Sequence, residues 1–353
     1  MGERSFTGDT PDEAMAIAVD AGLRYVNDQM PGIRRSIRGR GFSYTKESGP
    51  VDRATRRRIE DLTIPPAWTD VWICAHASGH LQATGRDARG RKQYLYHPEW
   101  RKVRDEAKFE RLLEFGEALP RLRTAVADDL GQSGLTFQKV VALVVALLDR
   151  TLIRVGNEEY RRDNGTFGLT TLESDQVGIS GIHLTFHYRG KHSLEHQVTL
   201  KDRRLARVVR SCHELGGREL FTYRDEDDTP VRVDSADCNE YLASIVGAGT
   251  TVKFFRTWGA SVTALESLVS NPSPLGKAEI LTAIDAAAER LGNTRAVCRR
   301  AYIHPFLTDD MDEDSLRLAW STSRTTTLMS RSERALIHLL GDHTNSAPSN
   351  ASG

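Results

Sequence analysis

Tyr302 stands near the end of residues 293–305, Asn-Thr-Arg-Ala-Val-Cys-Arg-Arg-Ala-Tyr-Ile-His-Pro, with Arg295, Arg299 and Arg300 close by in sequence. A phenol in so cationic a field is biased toward phenolate, and the same field would hold an anionic substrate beside it. Helical spacing puts Arg295, Arg299 and Tyr302 on one face and Ala296 and Arg300 on another, so one helix can present anion-binding and nucleophilic groups together. The plain alternative is a surface helix with a buried tyrosine and solvated arginines, and basic helix faces are common enough that this segment alone does not decide. Further cations stand at structurally meaningful places: Arg154 after an apolar segment, Lys191 in an Arg-Gly-Lys turn, and Lys253 and Arg256 in Val-Lys-Phe-Phe-Arg-Thr-Trp-Gly. Each taken singly is explicable as a surface charge.

The elements that must position these groups follow from periodicity and punctuation. Residues 10–28 open with Thr-Pro-Asp-Glu, a helix start. Gly32, Gly39, Gly41, Phe42, Tyr44 and Gly49-Pro50 read as short strands and turns. A helix is expected over 52–62, stopped by Pro65-Pro66. Residues 68–73 and 80–84 alternate like strands, and a turn at 85–90 leads into Lys92-Gln93-Tyr94-Leu95-Tyr96. From Pro98 the pattern is helical, over 101–115 and again over 120–130. Residues 135–148 are apolar nearly all round and read as the buried central helix of a larger domain, leading into Arg154. Three strands are expected at 168–172, 181–188 and 194–200, with Arg189-Gly190-Lys191 at the turn between the last two. Helices resume from Lys201, and Asp234 caps another. The fold class is thus α+β: a small mixed, sheet-containing N-terminal domain (1–118), a larger mainly α domain with a short three-stranded antiparallel sheet (119–341), and a tail (342–353) whose composition predicts disorder.

Composition narrows the function classes. A chain of 353 residues is too long for one ordinary core, and 39% hydrophobic with 27% charged residues describes a soluble globular protein. The 48 basic and 48 acidic residues cancel, so information lies in their distribution. Arg34, Arg35, Arg38, Arg40, Lys46, Arg53, Arg56, Arg57 and Arg58 face only Glu47 and Asp52 in the same segment, while acid collects at 225–228 and 309–314. One surface of a neutral molecule can therefore be strongly positive, the footprint sought for nucleic acid. Cys74, Cys212, Cys238 and Cys298 form no Cys-x-x-Cys pair, which indicates neither a zinc ribbon nor a disulfide framework and fits a reducing cytoplasm. The start lacks a signal pattern and the longest apolar run is too short to span a bilayer, so no membrane partner is expected. His183, His187, His192 and His196, or His76 with His80, tempt a metal assignment, but no Cys or suitably placed Glu joins either group and no metal is assigned.

At this point the order of the cations matters. Leu-Ile-Arg-Val-Gly-Asn-Glu-Glu-Tyr (152–160), Gly-Leu-Thr-Thr-Leu (168–172), Tyr-Arg-Gly-Lys (188–191), Phe-Arg-Thr-Trp-Gly (255–259) and Arg-Ala-Tyr (300–302) together resemble the catalytic domain of type IB DNA topoisomerases, the poxvirus-like and bacterial branch above all. Ile-Pro-Pro-Ala-Trp (64–68) and Gly-Arg-Asp-Ala-Arg-Gly-Arg-Lys-Gln-Tyr (85–94) extend the resemblance through the first domain, so that it covers residues 32–305.

The resemblance implies roles. Tyr302 corresponds to the nucleophile that joins the enzyme to a DNA 3′-phosphate and releases a 5′-hydroxyl. Arg154 and Arg256 would hold the nonbridging oxygens, a role suited to bidentate guanidinium geometry. Lys191 corresponds to the general acid for the departing 5′-oxygen, with Lys253 a second candidate in that relay. Asn293, nine residues before the tyrosine, stands where many relatives have His; it can donate a neutral hydrogen bond to phosphate but supplies no charge or titratable proton. In the first domain Gln93, Tyr94 and Tyr96 resemble a major-groove and phosphate-contacting strand, with Arg91 and Lys92 beside them. A phosphotyrosine linkage conserves the phosphodiester, so no cofactor, nucleotide or metal is implied. A phenol of pKa about 10 leaves ~4 kcal/mol of unfavourable deprotonation at neutral pH to be offset by cations or concerted proton transfer. The expected partner is duplex DNA, gripped in a two-domain clamp by a monomer in the bacterial nucleoid.

Two other readings remain. Tyrosine recombinases share the Arg, Lys, Arg, Tyr constellation but generally place His three residues before the second Arg, where this chain has Lys253; the first-domain motifs also favour a topoisomerase. A non-catalytic DNA-binding protein would bind in a salt-sensitive way with no dependence on Tyr302.

Overall fold

The computed structural model describes residues 11–346 apart from 40, 89, 159, 160, 163 and 164. Thr10, Arg40, Arg89, Tyr160 and the end of the expected tail, 347–353, therefore lie outside the described residues. The chain forms two units, Met1–Lys108 and Phe109–Gly353.

In the first unit, helix α1 (Pro11–Asp20) precedes strands β1 (Gly32–Arg38), β2 (Gly41–Lys46) and β3 (Gly49–Pro50), helix α2 (Arg53–Asp61), and strands β4 (Thr69–Cys74), β5 (Leu81–Arg86) and β6 (Lys92–Tyr96). Asp52 caps α2 through its carboxylate on Thr55 N (2.8 Å). The strands make one antiparallel sheet in the order β3-β2-β1-β4-β5-β6. Alternation divides it: Ile33, Ile73 and Ala83 pack with Ile59 and Ile64 on one face, whereas Trp72, Cys74 and Leu81 pack with Val26, Tyr94 and Tyr96 on the other.

Helix α3 (Pro98–Gly131) is continuous. The expected break near 118–120 falls inside it, because Leu112, Phe115, Leu119, Leu122 and Val126, spaced three and four apart across Pro120, are all buried. Such a stripe outweighs the hydrogen bond a proline removes. Helix α4 (Phe137–Thr151) is capped by Thr136 on Lys139 N and buried along nearly its whole length, as its composition predicts. Strands β7 (Val177–Ser180), β8 (His183–Arg189) and β9 (Glu195–Lys201) form the small antiparallel sheet. Its first strand lies later than expected: residues 169–171 are instead a 3-10 turn, for the reason given below. Helix α5 (Arg203–Leu215), strands β10 (Thr222–Arg224) and β11 (Pro230–Arg232), and helices α6 (Ser235–Val246), α7 (Lys253–Ser270), α8 (Lys277–Leu291), α9 (Arg295–Ala301), α10 (Glu313–Thr322) and α11 (Arg331–Ser346) complete the unit. The expected tail is corrected here. Helix α11 carries through Gly341 to Ser346, since Leu336, Leu339 and Leu340 are buried and anchor the turn before the glycine.

Candidate active site

Four helix ends meet around two arginines. Helix α4 stops at Leu152, which takes the left-handed conformation at φ 58°. Arg154 follows two residues later, on a backbone held by the 169–171 turn: Leu169 N donates to Arg154 O (2.7 Å) and Thr170 N to Val155 O (2.6 Å). A Cβ on Gly168 would stand 2.4 Å from Gly156 N and 2.6 Å from Arg154 O. Residues 168–171 thus form a clasp against the Arg154 backbone, which is why two β-branched threonines do not make a strand here.

Arg256, in the first turn of α7, is only 6% exposed. One terminal nitrogen donates to the carbonyl of Leu152, at the end of α4, and the other to that of Leu291, the last residue of α8 (3.0 Å). These carbonyls have no partner within their own helices, so the guanidinium closes both ends. The motif around Arg256 is a packing device: a Cβ on Gly259 would meet Leu152 Cδ1 at 2.5 Å, and one on Gly116 would meet Trp258 at 2.3 Å. Neighbouring helices approach closely enough to fix the arginine.

Past the left-handed cap Gly292 of α8, Asn293 accepts a hydrogen bond at Oδ1 from Arg154 Nη2 (2.5 Å). Tyr302 caps α9, its amide bonded to Cys298 O (2.9 Å) and its carbonyl accepting from Ser261 Oγ (3.4 Å). The Arg256 guanidinium carbon lies 5.0 Å from the Tyr302 ring centroid. Burial opposes ionisation of this phenol, but Arg256, Arg154 and Lys191 outweigh it and hold the hydroxyl below the usual phenol range. Lys191 is exposed, in a short turn (Lys191–Ser193) joining β8 to β9. The fold therefore brings Arg154, Arg256, Asn293, Tyr302 and Lys191 together. Lys253 opens α7, exposed and three residues before Arg256.

Two cations of Tyr302's own helix are engaged elsewhere. Arg295 pairs with Asp285 and Arg299 with Asp309 (2.7 Å), both at the surface. Among the described residues, buried side-chain polar atoms without a partner are His196 Nε2, Thr222 Oγ1, Arg256 Nε and Asn293 Nδ2. Two of these belong to the expected site residues, and buried donors left open are what an anion would satisfy.

Sequence reasoning missed two neighbours. Tyr188, on β8, is buried with its hydroxyl pushed up to about 12 despite Arg256 and Arg154 nearby. His196, opposite it on β9, stacks at 5.3 Å between ring centroids. Period-two alternation was the available signal: Leu184, Phe186 and Tyr188 share the inward face, leaving His183 and His187 exposed outside.

In the first unit four of the five expected DNA-facing residues divide between faces of β6, and Arg91 immediately precedes it. Tyr94 and Tyr96 stack on each other (6.1 Å) on the side of Trp72, and Tyr96 is pushed up by burial. Gln93 points the other way and donates to Asp87 (3.0 Å), which also takes Arg91 (2.8 Å). Lys92 pairs with Asp28 at 2.8 Å. Of the basic segment, Arg35 donates to the carbonyls of Ile64, Pro65 and Trp68, and Arg58 to Gln82 and Cys74 O, so these two are structural. Arg34, Arg38, Arg53, Arg56 and Arg57 remain exposed.

Fold and site define one class, and comparison with known proteins gives the same answer. The profile of the eukaryotic DNA topoisomerase I catalytic core matches residues 97–327, and that of the bacterial DNA topoisomerase IB N-terminal domain matches residues 41–87. The chain belongs to the type IB DNA topoisomerases, which are isomerases. A DNA topoisomerase 1B of Acanthamoeba polyphaga mimivirus is 31% identical over 78% of this chain and 85% of its own length. The DNA topoisomerase 1B of Vaccinia virus (strain Copenhagen) is 25% identical over 75% and 85%. Among solved structures, the XerH site-specific recombinase bound to palindromic difH substrate, a post-cleavage complex, reaches a TM-score of 0.36 at 14% identity over 57% of this chain and 50% of that one. No helix among the described residues is long and apolar enough to cross a membrane.

Proposed function

We propose that this protein relaxes supercoiled duplex DNA by cutting one strand, allowing it to rotate, and resealing it. The Tyr302 oxygen attacks the scissile phosphorus, the bond to the 5′-oxygen breaks, and a 3′-phosphotyrosyl enzyme forms. Arg154 and Arg256 hold the nonbridging oxygens as charge accumulates, and Asn293 Nδ2 donates to one of them. Lys191 protonates the leaving 5′-oxygen, with Lys253 a second candidate in that relay. Because one phosphodiester is exchanged for another, the freed 5′-hydroxyl attacks back without ATP or a metal ion. The exposed arginines of β1 and α2, with β6, are assigned to the DNA backbone and groove.

The observation that carries this reading is geometric: the Arg256 guanidinium carbon lies 5.0 Å from the Tyr302 ring centroid, Arg154 is bonded to Asn293, and Arg256 Nε and Asn293 Nδ2 are buried donors left open to an anion. The deciding experiment is relaxation of positively and negatively supercoiled plasmid in chelator without ATP, by wild type and Tyr302→Phe. Loss of relaxation with DNA binding retained supports the reading. Equal activity in the two proteins would refute it.

A further inference from the structure

His196 has no part in the chemistry proposed above, yet its ring lies directly on two site-bearing backbones. A Cβ on Gly190 would stand 2.5 Å from its Cδ2 and 2.7 Å from its Nε2. From the other side, a Cβ on Gly292 would stand 2.6 Å from its Cε1. Such distances are available only because both positions are glycine. Gly190 immediately precedes Lys191, and Gly292 immediately precedes Asn293.

Lys191 needs such a contact. Its side chain is long and exposed, so its reach is set by where the turn sits. Internal bonds shape the turn: Gly190 N donates to Leu194 O (2.8 Å) and Ser193 N to Gly190 O (3.0 Å). Phe167 N to Arg189 O (2.8 Å) ties the strand to residues near the Arg154 clasp. The imidazole is what spans from this turn to the cap before Asn293. Burial, with Arg154 and Arg256 close by, disfavours its protonated form, which suits a packed ring.

We propose that His196 is a positioning residue whose ring sets the spacing between the turn that carries Lys191 and the turn that carries Asn293. The proposal rests on the reading of Lys191 as proton donor. Its test is single-turnover cleavage by the full-length enzyme of DNA with either oxygen or sulfur at the scissile 5′ position, since a thiolate leaves with little need of a proton. His196→Ala should slow the oxygen substrate by about tenfold to a hundredfold, the usual cost of ångström-scale misplacement, and the sulfur substrate by much less. Gly190→Ala, whose new methyl meets the ring, should show the same signature, and the double variant should be no slower than His196→Ala alone, because the methyl then has no ring to meet. Noncovalent DNA binding and melting temperature control for unfolding; if His196→Ala does not fold, Gly190→Ala on the two substrates carries the test. Equal slowing on both substrates, wild-type rates on both, or a double variant slowed by the product of the two single defects would overturn the proposal. Should Lys191→Ala itself slow both substrates equally, the proton-donor reading fails instead, and the coupling between Gly190→Ala and His196→Ala still decides whether the ring is a spacer.

Discussion

Arg256 serves Tyr302 and two helix ends at once: its guanidinium carbon lies 5.0 Å from the tyrosine ring centroid while its terminal nitrogens donate to Leu152 O and Leu291 O. The charge that favours the phenolate is thus also the plug that closes α4 and α8. Function and fold are tied through a single side chain, and substitutions there should show both.

Arg256→Lys tests that linkage. An ammonium keeps the charge but cannot span both carbonyls while presenting an edge to phosphate. Cleavage should fall by about a hundredfold or more, the usual loss when a transition-state donor is removed. Stability should fall by roughly 1–3 kcal/mol for the buried carbonyl left open. Single-turnover cleavage and thermal melting check the two parts, and a wild-type cleavage rate would contradict the role given to Arg256.

Gly168→Ala should act on Arg154 from a distance. The added methyl would stand 2.4 Å from Gly156 N and 2.6 Å from Arg154 O, both backbone atoms, so the clasp must open. Cleavage should drop about tenfold to a hundredfold with noncovalent DNA binding kept. Gly178→Ala is the control, since the nearest atom there is 3.9 Å away. Equal behaviour of the two variants would show that the clasp does not position Arg154.

Much of this was legible in the sequence, and the exceptions have a common cause. Arg154, Lys191, Arg256 and Tyr302 stood out by charge and position and took their roles from the resemblance of the motifs around them, and α4 was legible because an all-apolar run has few other outcomes. Residues 168–172 were misread as a strand: β-branched threonines favour strands locally, but a glycine demanded by close backbone approach decides the outcome in three dimensions. At Pro120 a local breaker lies within a helix whose buried stripe continues past it, and at Gly341 the buried leucines just before the glycine anchor a helix that runs on. Tyr188 stood inside the Tyr-Arg-Gly-Lys motif and His196 in a histidine group weighed for metal, but only their pairing across β8 and β9 places them beside the arginines.

Acidification should loosen the first unit through His80. Its ring stacks on Tyr25 (4.5 Å between centroids), meets Trp100 edge-on, and accepts from Val26 N through Nδ1 (3.1 Å). Burial pulls its pKa down to about 4 from an ordinary value of 6.5. The unfolded chain therefore takes up the proton first as pH falls, so the stability is full above about pH 6.5 and is lost progressively toward about pH 4. The loss amounts to about 3 kcal/mol at most. Hydrogen exchange of β4 and β5 amides, corrected for its intrinsic pH dependence, should show this slope, and His80→Phe should flatten it. An unchanged slope in the variant would assign the acid sensitivity elsewhere.

Arg123 ties the last helix to the site. It donates to Asp149 through Nε (2.8 Å) and Nη2 (2.9 Å), and to Glu333 through Nη1 (3.0 Å) and Nη2 (2.6 Å). Glu333, on α11, also accepts from Trp258 Nε1 (3.3 Å), two residues beyond Arg256. Burial alone would raise the Glu333 carboxyl, but Arg123 holds it below the usual range. Arg123→Ala would strand two carboxylates in a mostly dry environment, at a cost of about 3–5 kcal/mol. Neutralising one of them should return part of that loss, so Arg123→Ala with Glu333→Gln should be more stable than the sum of the single changes predicts. Urea unfolding of the four proteins of this cycle gives the coupling. Strict additivity would mean that the three side chains do not act as a unit, and that α11 packs against α7 by its apolar stripe alone.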